Sequence, residues 1–210
     1  MWTGPFRERK LSTARAVCAS QGNLTLGLDR IYFKNNPWPE GHPVKEFHWS
    51  ASVRDGFVWF DFHLETKDYY SERDIEDEED TEYPSDWAAP IVWGNYHACT
   101  LSTNYWHEGG FKVCALSDYS PEFLDGLELE VDPNPENIED WDDLAFHIYL
   151  LGHDSAAKHT IKFGRIDESL NFKITWVGKI AQAYVGDYEY KHDFNVIIKN
   201  VSFPDANKQV

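Results

Sequence analysis

Between positions 159 and 203, apolar and polar residues alternate with a period of two, and this alternation restricts the possible folds more than any other feature. Leu170, Phe172, Ile174 and Trp176 fall on even positions, with Asn171, Lys173 and Thr175 between them. Tyr188, Tyr190, Phe194, Val196 and Ile198 repeat the pattern around Glu189, Lys191, Asp193 and Asn195. Successive side chains of a strand point to opposite faces, so the spacing predicts sheet with one face buried and the other wet. Asp167-Glu168-Ser169 and Val185-Gly186-Asp187 punctuate the run with turn chemistry. The prediction is an antiparallel meander.

Elsewhere the same logic yields further strands. Residues 46–66 read as a hairpin: Phe47 and Trp49 lead to Arg54-Asp55-Gly56, and Val58, Phe60, Phe62 and Leu64 then share one face. Leu24, Leu26 and Leu28 alternate before the pattern slips to Ile31 and Phe33, as it would across a bulge. Residues 91–96, 111–113 and 127–131 predict short strands, and residues 145–151 lead into the meander. Residues 5–20, closed by Gly22, predict one short helix, and Ile138, Trp141 and Leu144 at spacing three predict another. The expected fold is mainly β: a single-domain antiparallel β-sandwich or meander over residues 1–210, with one or two short helices. An aromatic share of 16% agrees, because such side chains suit pleated, half-buried surfaces.

Charge narrows function. With 36 acidic and 19 basic residues the formal net charge is −17, which argues against binding a phosphate backbone and favours cationic partners. The acids concentrate in expected loops at about 71–86 and 132–143; residues 72–82 hold eight acids in eleven positions, which no core accommodates. No apolar run reaches membrane-spanning length, and the first twenty residues lack the apolar stretch of a signal peptide. Three cysteines, Cys18, Cys99 and Cys114, make an odd count, so a reducing cytoplasm is expected, although a Cys99–Cys114 bridge is compatible with the sequence.

Motifs that carry chemistry are missing. Walker A, GxGxxG, GxSxG, HExxH and CxxC do not occur, and the acidic run lacks the central glycine of an EF-hand loop, so neither cofactor nor metal is expected. His147, His153 and His159 are six apart, a spacing that one unbroken strand would put on one face, but Gly152 and Asp154 interrupt it. His107 and Glu108 stand in the unusual string Trp106-His107-Glu108-Gly109-Gly110.

The leading expectation is therefore a non-enzymatic binder of a basic protein, such as a toxin or nuclease, which it would neutralise in the manner of bacterial immunity proteins. That comparison is one of general character, carried by no motif. Glu76, Asp77, Glu78, Glu79 and Asp80 would attract the partner, and Tyr105, Trp106 and Trp141 would anchor it. The alternatives are a carbohydrate-binding β-sandwich with exposed aromatics, or an enzyme using His107 and Glu108 or the three spaced histidines.

Overall fold

The computed structural model describes residues 28–74, 81–103 and 109–206. The elements are ten strands: β1 (Arg30–Phe33), β2 (His42–Arg54), β3 (Phe57–Thr66), β4 (Thr100–Thr103), β5 (Phe111–Ala115), β6 (Glu128–Val131), β7 (Phe146–Tyr149), β8 (His153–Arg165), β9 (Asn171–Ala181) and β10 (His192–Ser202). Two short helices, α1 (Pro90–Gly94) and α2 (Pro121–Leu124), interrupt them.

The strands close into an eight-stranded antiparallel barrel rather than the expected sandwich. Around the ring run β2, β1, β10, β9, β8, β7, β4 and β3, and the β2–β3 hairpin completes it. Period-two alternation could not separate the two architectures, since each buries one face of every strand. Closure depends on β1 finding β10 and on β4 finding β7, pairings distant in sequence.

The meander and the hairpin follow the predicted pattern. β8, β9 and β10 pair in succession, with Phe163 opposite Ile174 and Trp176 opposite Val196. In the hairpin, Asp55 and Gly56 both take positive φ, 50° and 77°, the geometry that Asp-Gly supplies cheaply. Phe60, Phe62, Phe163, Phe172 and Trp176 are all fully buried inside the ring. Phe62 meets Phe111 and Trp176 edge to face at 5.3 and 5.5 Å. A barrel of this size is just filled by such side chains.

Two departures matter. Residues 91–96, expected as a strand, contain helix α1 instead: Pro90 stands at its first turn and Trp93 is wholly buried. Trp93 packs with Trp38, Tyr69 and Trp87 to plug one end of the barrel, and that tertiary demand overrides local β propensity. The expected helix at Ile138, Trp141 and Leu144 is only a 3-10 turn at Trp141–Asp143. At the opposite end of the barrel, α2 presents the buried Leu124, and Tyr119 stacks on Phe203. Cys99 and Cys114 are free thiols, the first buried and the second partly exposed. The expected helix over residues 5–20 and the alternation at Leu24 and Leu26 lie outside the described residues. Among the described residues no helix is long and apolar enough to cross a membrane.

Candidate binding cleft

Two neighbouring strands of the barrel are interrupted, and the interruptions make its most distinctive surface. β4 and β5 lie end to end along β3, with Ser102 opposite His63 and Phe111 opposite Phe60. β6 and β7 lie end to end along β8, with Val131 opposite His159 and His147 opposite Ser155. Between β6 and β7, residues 132–145 leave the wall midway along β8. β4 and β7 are paired, but β5 and β6 are not paired with each other among the described residues. The 132–145 excursion leaves the ring where this seam parts. Gly109 and Gly110 there line one hollow of about 420 Å³ with Asp132, Asp142 and Asp143.

The 132–145 excursion is pinned at its base. Asp132, with φ at 49°, accepts the Ala145 backbone N–H on Oδ2 at 2.8 Å, and its carbonyl accepts the Lys158 N–H at 2.9 Å. Burial raises the Asp132 pKa despite that hydrogen bond. Lys158, also at positive φ (54°), sits in the irregularity between Ala157 and Thr160 of β8, where the bulge turns its side chain outward. The Asp140 carboxylate caps the following 3-10 turn by accepting the Asp142 N–H at 3.0 Å. That turn holds Trp141 on the surface, 41% exposed.

Facing Trp141 is the connection between β9 and β10. Tyr188 and Tyr190 continue the alternation of the sequence, yet neither belongs to a strand, because β10 begins only at His192. Gly186 at φ 80° and the Asp187 side chain, which accepts the Glu189 N–H at 3.1 Å, shape this turn instead. Tyr188 is 61% exposed and meets Trp141 nearly at right angles, 78° between planes with centroids 4.8 Å apart. The Tyr190 hydroxyl bonds Ser155 Oγ at 2.6 Å, which fixes that ring. Between these walls lies a cleft of about 450 Å³ lined by Pro135, Glu136, Ile138, Trp141, Lys158, Tyr188, Glu189 and Tyr190. Lys158, one of its lining residues, pairs with Glu136 at 3.6 Å.

No family model, no curated protein and no solved structure matches this chain. The reading of the site therefore rests on its own chemistry.

Of the residues singled out from sequence, Trp141 forms a wall of the cleft. Glu76, Asp77, Glu78, Glu79, Asp80, Tyr105, Trp106, His107 and Glu108 lie outside the described residues. Tyr188 and Tyr190 were visible in the sequence only as strand residues; their position beside a turn with Gly186 was the signal that could have separated them from the sheet. Of the spaced histidines, His147 and His153 share the outer face and line one pocket, and only His159 turns inward. The turn at Gly152 puts His147 and His153 on adjacent strands, and His159 points into the barrel, where its Nδ1 accepts the Trp176 indole N–H at 3.2 Å. Burial lowers the His159 pKa to about 3, so it stays a neutral core residue. Among the described residues no group of three or more His, Cys, Asp or Glu side chains is placed to hold a metal ion.

A larger groove of about 630 Å³ lies on the far side of Lys158, over β1, β9 and β10. Its cations Lys34 and Lys179 both pair with Asp193, at 3.3 and 2.6 Å, so its charge is largely spent internally. The cleft differs in having exposed aromatic walls inside a strongly acidic stretch: residues 132–143 carry six acids and no Lys or Arg.

Proposed function

We propose that the protein is a non-enzymatic binder that captures a basic protein partner on the face built by residues 132–145 and 188–190. The observation that carries this reading is the perpendicular pair of exposed rings, Trp141 and Tyr188, set among acids that include Glu136, Asp140, Asp142 and Glu189. Acidic side chains speed encounter with a cationic surface, and desolvated Trp and Tyr anchors then supply most of the affinity. The acids Glu76, Asp77, Glu78, Glu79 and Asp80 add to the steering field through net charge alone. A partner such as a basic toxin or nuclease, which such binding would neutralise, fits this chemistry.

The right angle between the rings favours this reading over carbohydrate binding, since a sugar face stacks best on a flat aromatic platform. The test is a pull-down with the full chain at low salt, repeated at severalfold higher salt and with a Trp141→Ala/Tyr188→Ala double variant. A basic protein retained at low salt should elute as salt rises, and the double variant should bind at least about tenfold more weakly. Replacing Glu76, Asp77, Glu78, Glu79 and Asp80 by their amides should slow association and leave dissociation nearly unchanged. Retention of a basic partner at the same affinity by the double variant would refute this placement of the interface.

A further inference from the structure

The walls of the cleft identify what it takes from a partner. Trp141 and Tyr188 meet edge to face with both rings exposed, and Tyr190, held by Ser155, lines the same cleft. Aromatic faces carry negative potential, so the ring faces left open in this cleft attract a cation. The carboxylates of Glu136 and Glu189 line the same space. The molecule already places one cation there: the bulge of β8 directs the Lys158 ammonium to Glu136 at 3.6 Å. An ammonium is therefore compatible with this cleft, yet the Lys158 side chain is 38% exposed and can yield its place to a competitor.

We infer that the cleft lined by Trp141, Tyr188 and Tyr190 is a receptor for one organic cation, the guanidinium or ammonium group of an arginine or lysine side chain presented by the partner. This deepens the binding reading above and rests on it. The incoming cation lies against the ring faces, takes Glu136 and Glu189 as counter-ions, and displaces Lys158 from Glu136. An arginine gains further from its plane, which stacks on an indole while its edge reaches a carboxylate.

The test uses the full chain and small probes: acetyl-arginine amide, acetyl-lysine amide and acetyl-trimethyllysine amide, with acetyl-norleucine amide as the uncharged control. Indole N–H signals are followed by NMR, with that of Trp141 assigned from a Trp141→Phe variant. The cationic probes should move the Trp141 signal and leave the other indoles in place, while the norleucine probe should not move it. Tyr188→Ala should weaken the effect roughly tenfold and Glu189→Gln about threefold, with the remaining indole signals certifying the fold. The rank of the three cations tells arginine from lysine and methylated lysine. Equal response to norleucine, or no response to any cation, overturns the inference. If no cation moves Trp141 but a basic protein still binds this face in a Trp141-dependent way, the cation receptor fails and the binding reading survives. If the cations bind but no basic protein is held, the cation receptor stands and the binding reading fails.

Discussion

Two groups of aromatic residues, one at the barrel end and one on its side, use the same side chains for opposite ends. Trp38, Tyr69, Trp87 and Trp93 are all at most 3% exposed. Three of them find backbone partners: the Trp87 and Trp93 indoles donate to the carbonyls of Lys34 and Trp87 at 2.9 and 2.8 Å, and the Tyr69 hydroxyl donates to that of Leu150 at 2.9 Å, while the Trp38 indole is buried without a partner among the described residues. Trp141 and Tyr188 touch each other edge to face much as Trp87 and Trp93 do, but they stay exposed and are ringed by carboxylates. Ring contacts alone therefore do not distinguish plug from cleft. What distinguishes them is whether the surrounding chain buries the rings or leaves them facing water among carboxylates.

The sharpest way to break that contrast is to truncate one ring from each group. Trp93→Ala removes a wholly buried side chain packed against Trp38, Tyr69 and Trp87, and should cost about 3–5 kcal/mol in urea unfolding. Trp141→Ala should cost less than about 1 kcal/mol while weakening partner binding. Similar losses of stability in the two variants would erase the distinction.

Acid should also act on the buried group first. His42 stacks on Trp93 in the plug, and its Nε2 accepts from the Asn36 amide at 2.9 Å. Burial, aided by the Arg30 charge, lowers its pKa to about 3, and burial alone does the same for His159. Both folded-state values lie below the ordinary 6.5, so the unfolded chain takes up protons first as pH falls. Their stabilisation is complete above 6.5 and is lost between there and about 3, by about 2 kcal/mol each near pH 5. Asp154 works in the other direction. Burial raises its pKa to about 6, although Oδ2 accepts the Leu151 N–H at 3.0 Å. Its protonation in the folded state returns roughly 1 kcal/mol near pH 5. Melting curves at pH 7.5 and 5 should therefore differ less in His42→Gln than in the native chain, and more in Asp154→Asn. A native chain equally stable at both values would refute the neutral-core assignment.

Smaller effects test the scaffold and the cleft. Gly178→Ala should cost about 1–3 kcal/mol, because a Cβ there would lie 2.7 Å from both His159 Nδ1 and Phe194 Cε1. Glu136→Gln breaks only a half-exposed pair with Lys158 and should change stability by less than about 0.5 kcal/mol. A larger loss would mean that this pair holds the 132–145 excursion in place as well as facing the cleft.

Much of the barrel was legible in the sequence. The hairpin turn at Asp55-Gly56, the meander of β8 to β10 and the inward faces of Phe60, Phe62, Phe172 and Trp176 follow from local pattern and turn chemistry. The helix at Pro90–Gly94 was not legible, because Ile91, Val92 and Trp93 favour a strand by propensity and become helical to fill the barrel mouth. Trp141 was legible as a candidate because no core accommodates the acids around it. Tyr188 and Tyr190 were not, since their alternation with Glu189 and Lys191 matches that of a true strand. His159 shows the same limit. Six-residue spacing suggested a shared face, and His147 and His153 do share one across the β7–β8 pair, whereas the bulge of β8 turns His159 inward.

The sequence by itself thus determined the β class, the hairpin and the meander, the acidic character and the absence of a familiar catalytic motif, while it missed β4. These properties are local or additive, so spacing, turn residues and charge suffice to read them. Closure into a barrel, the parting of the seam between β5 and β6, and the meeting of Trp141 with Tyr188 were decided only by the tertiary structure. Each depends on pairing or packing between residues tens of positions apart, and period-two alternation places a side chain on a face without saying which other strand, or which solvent, that face will meet.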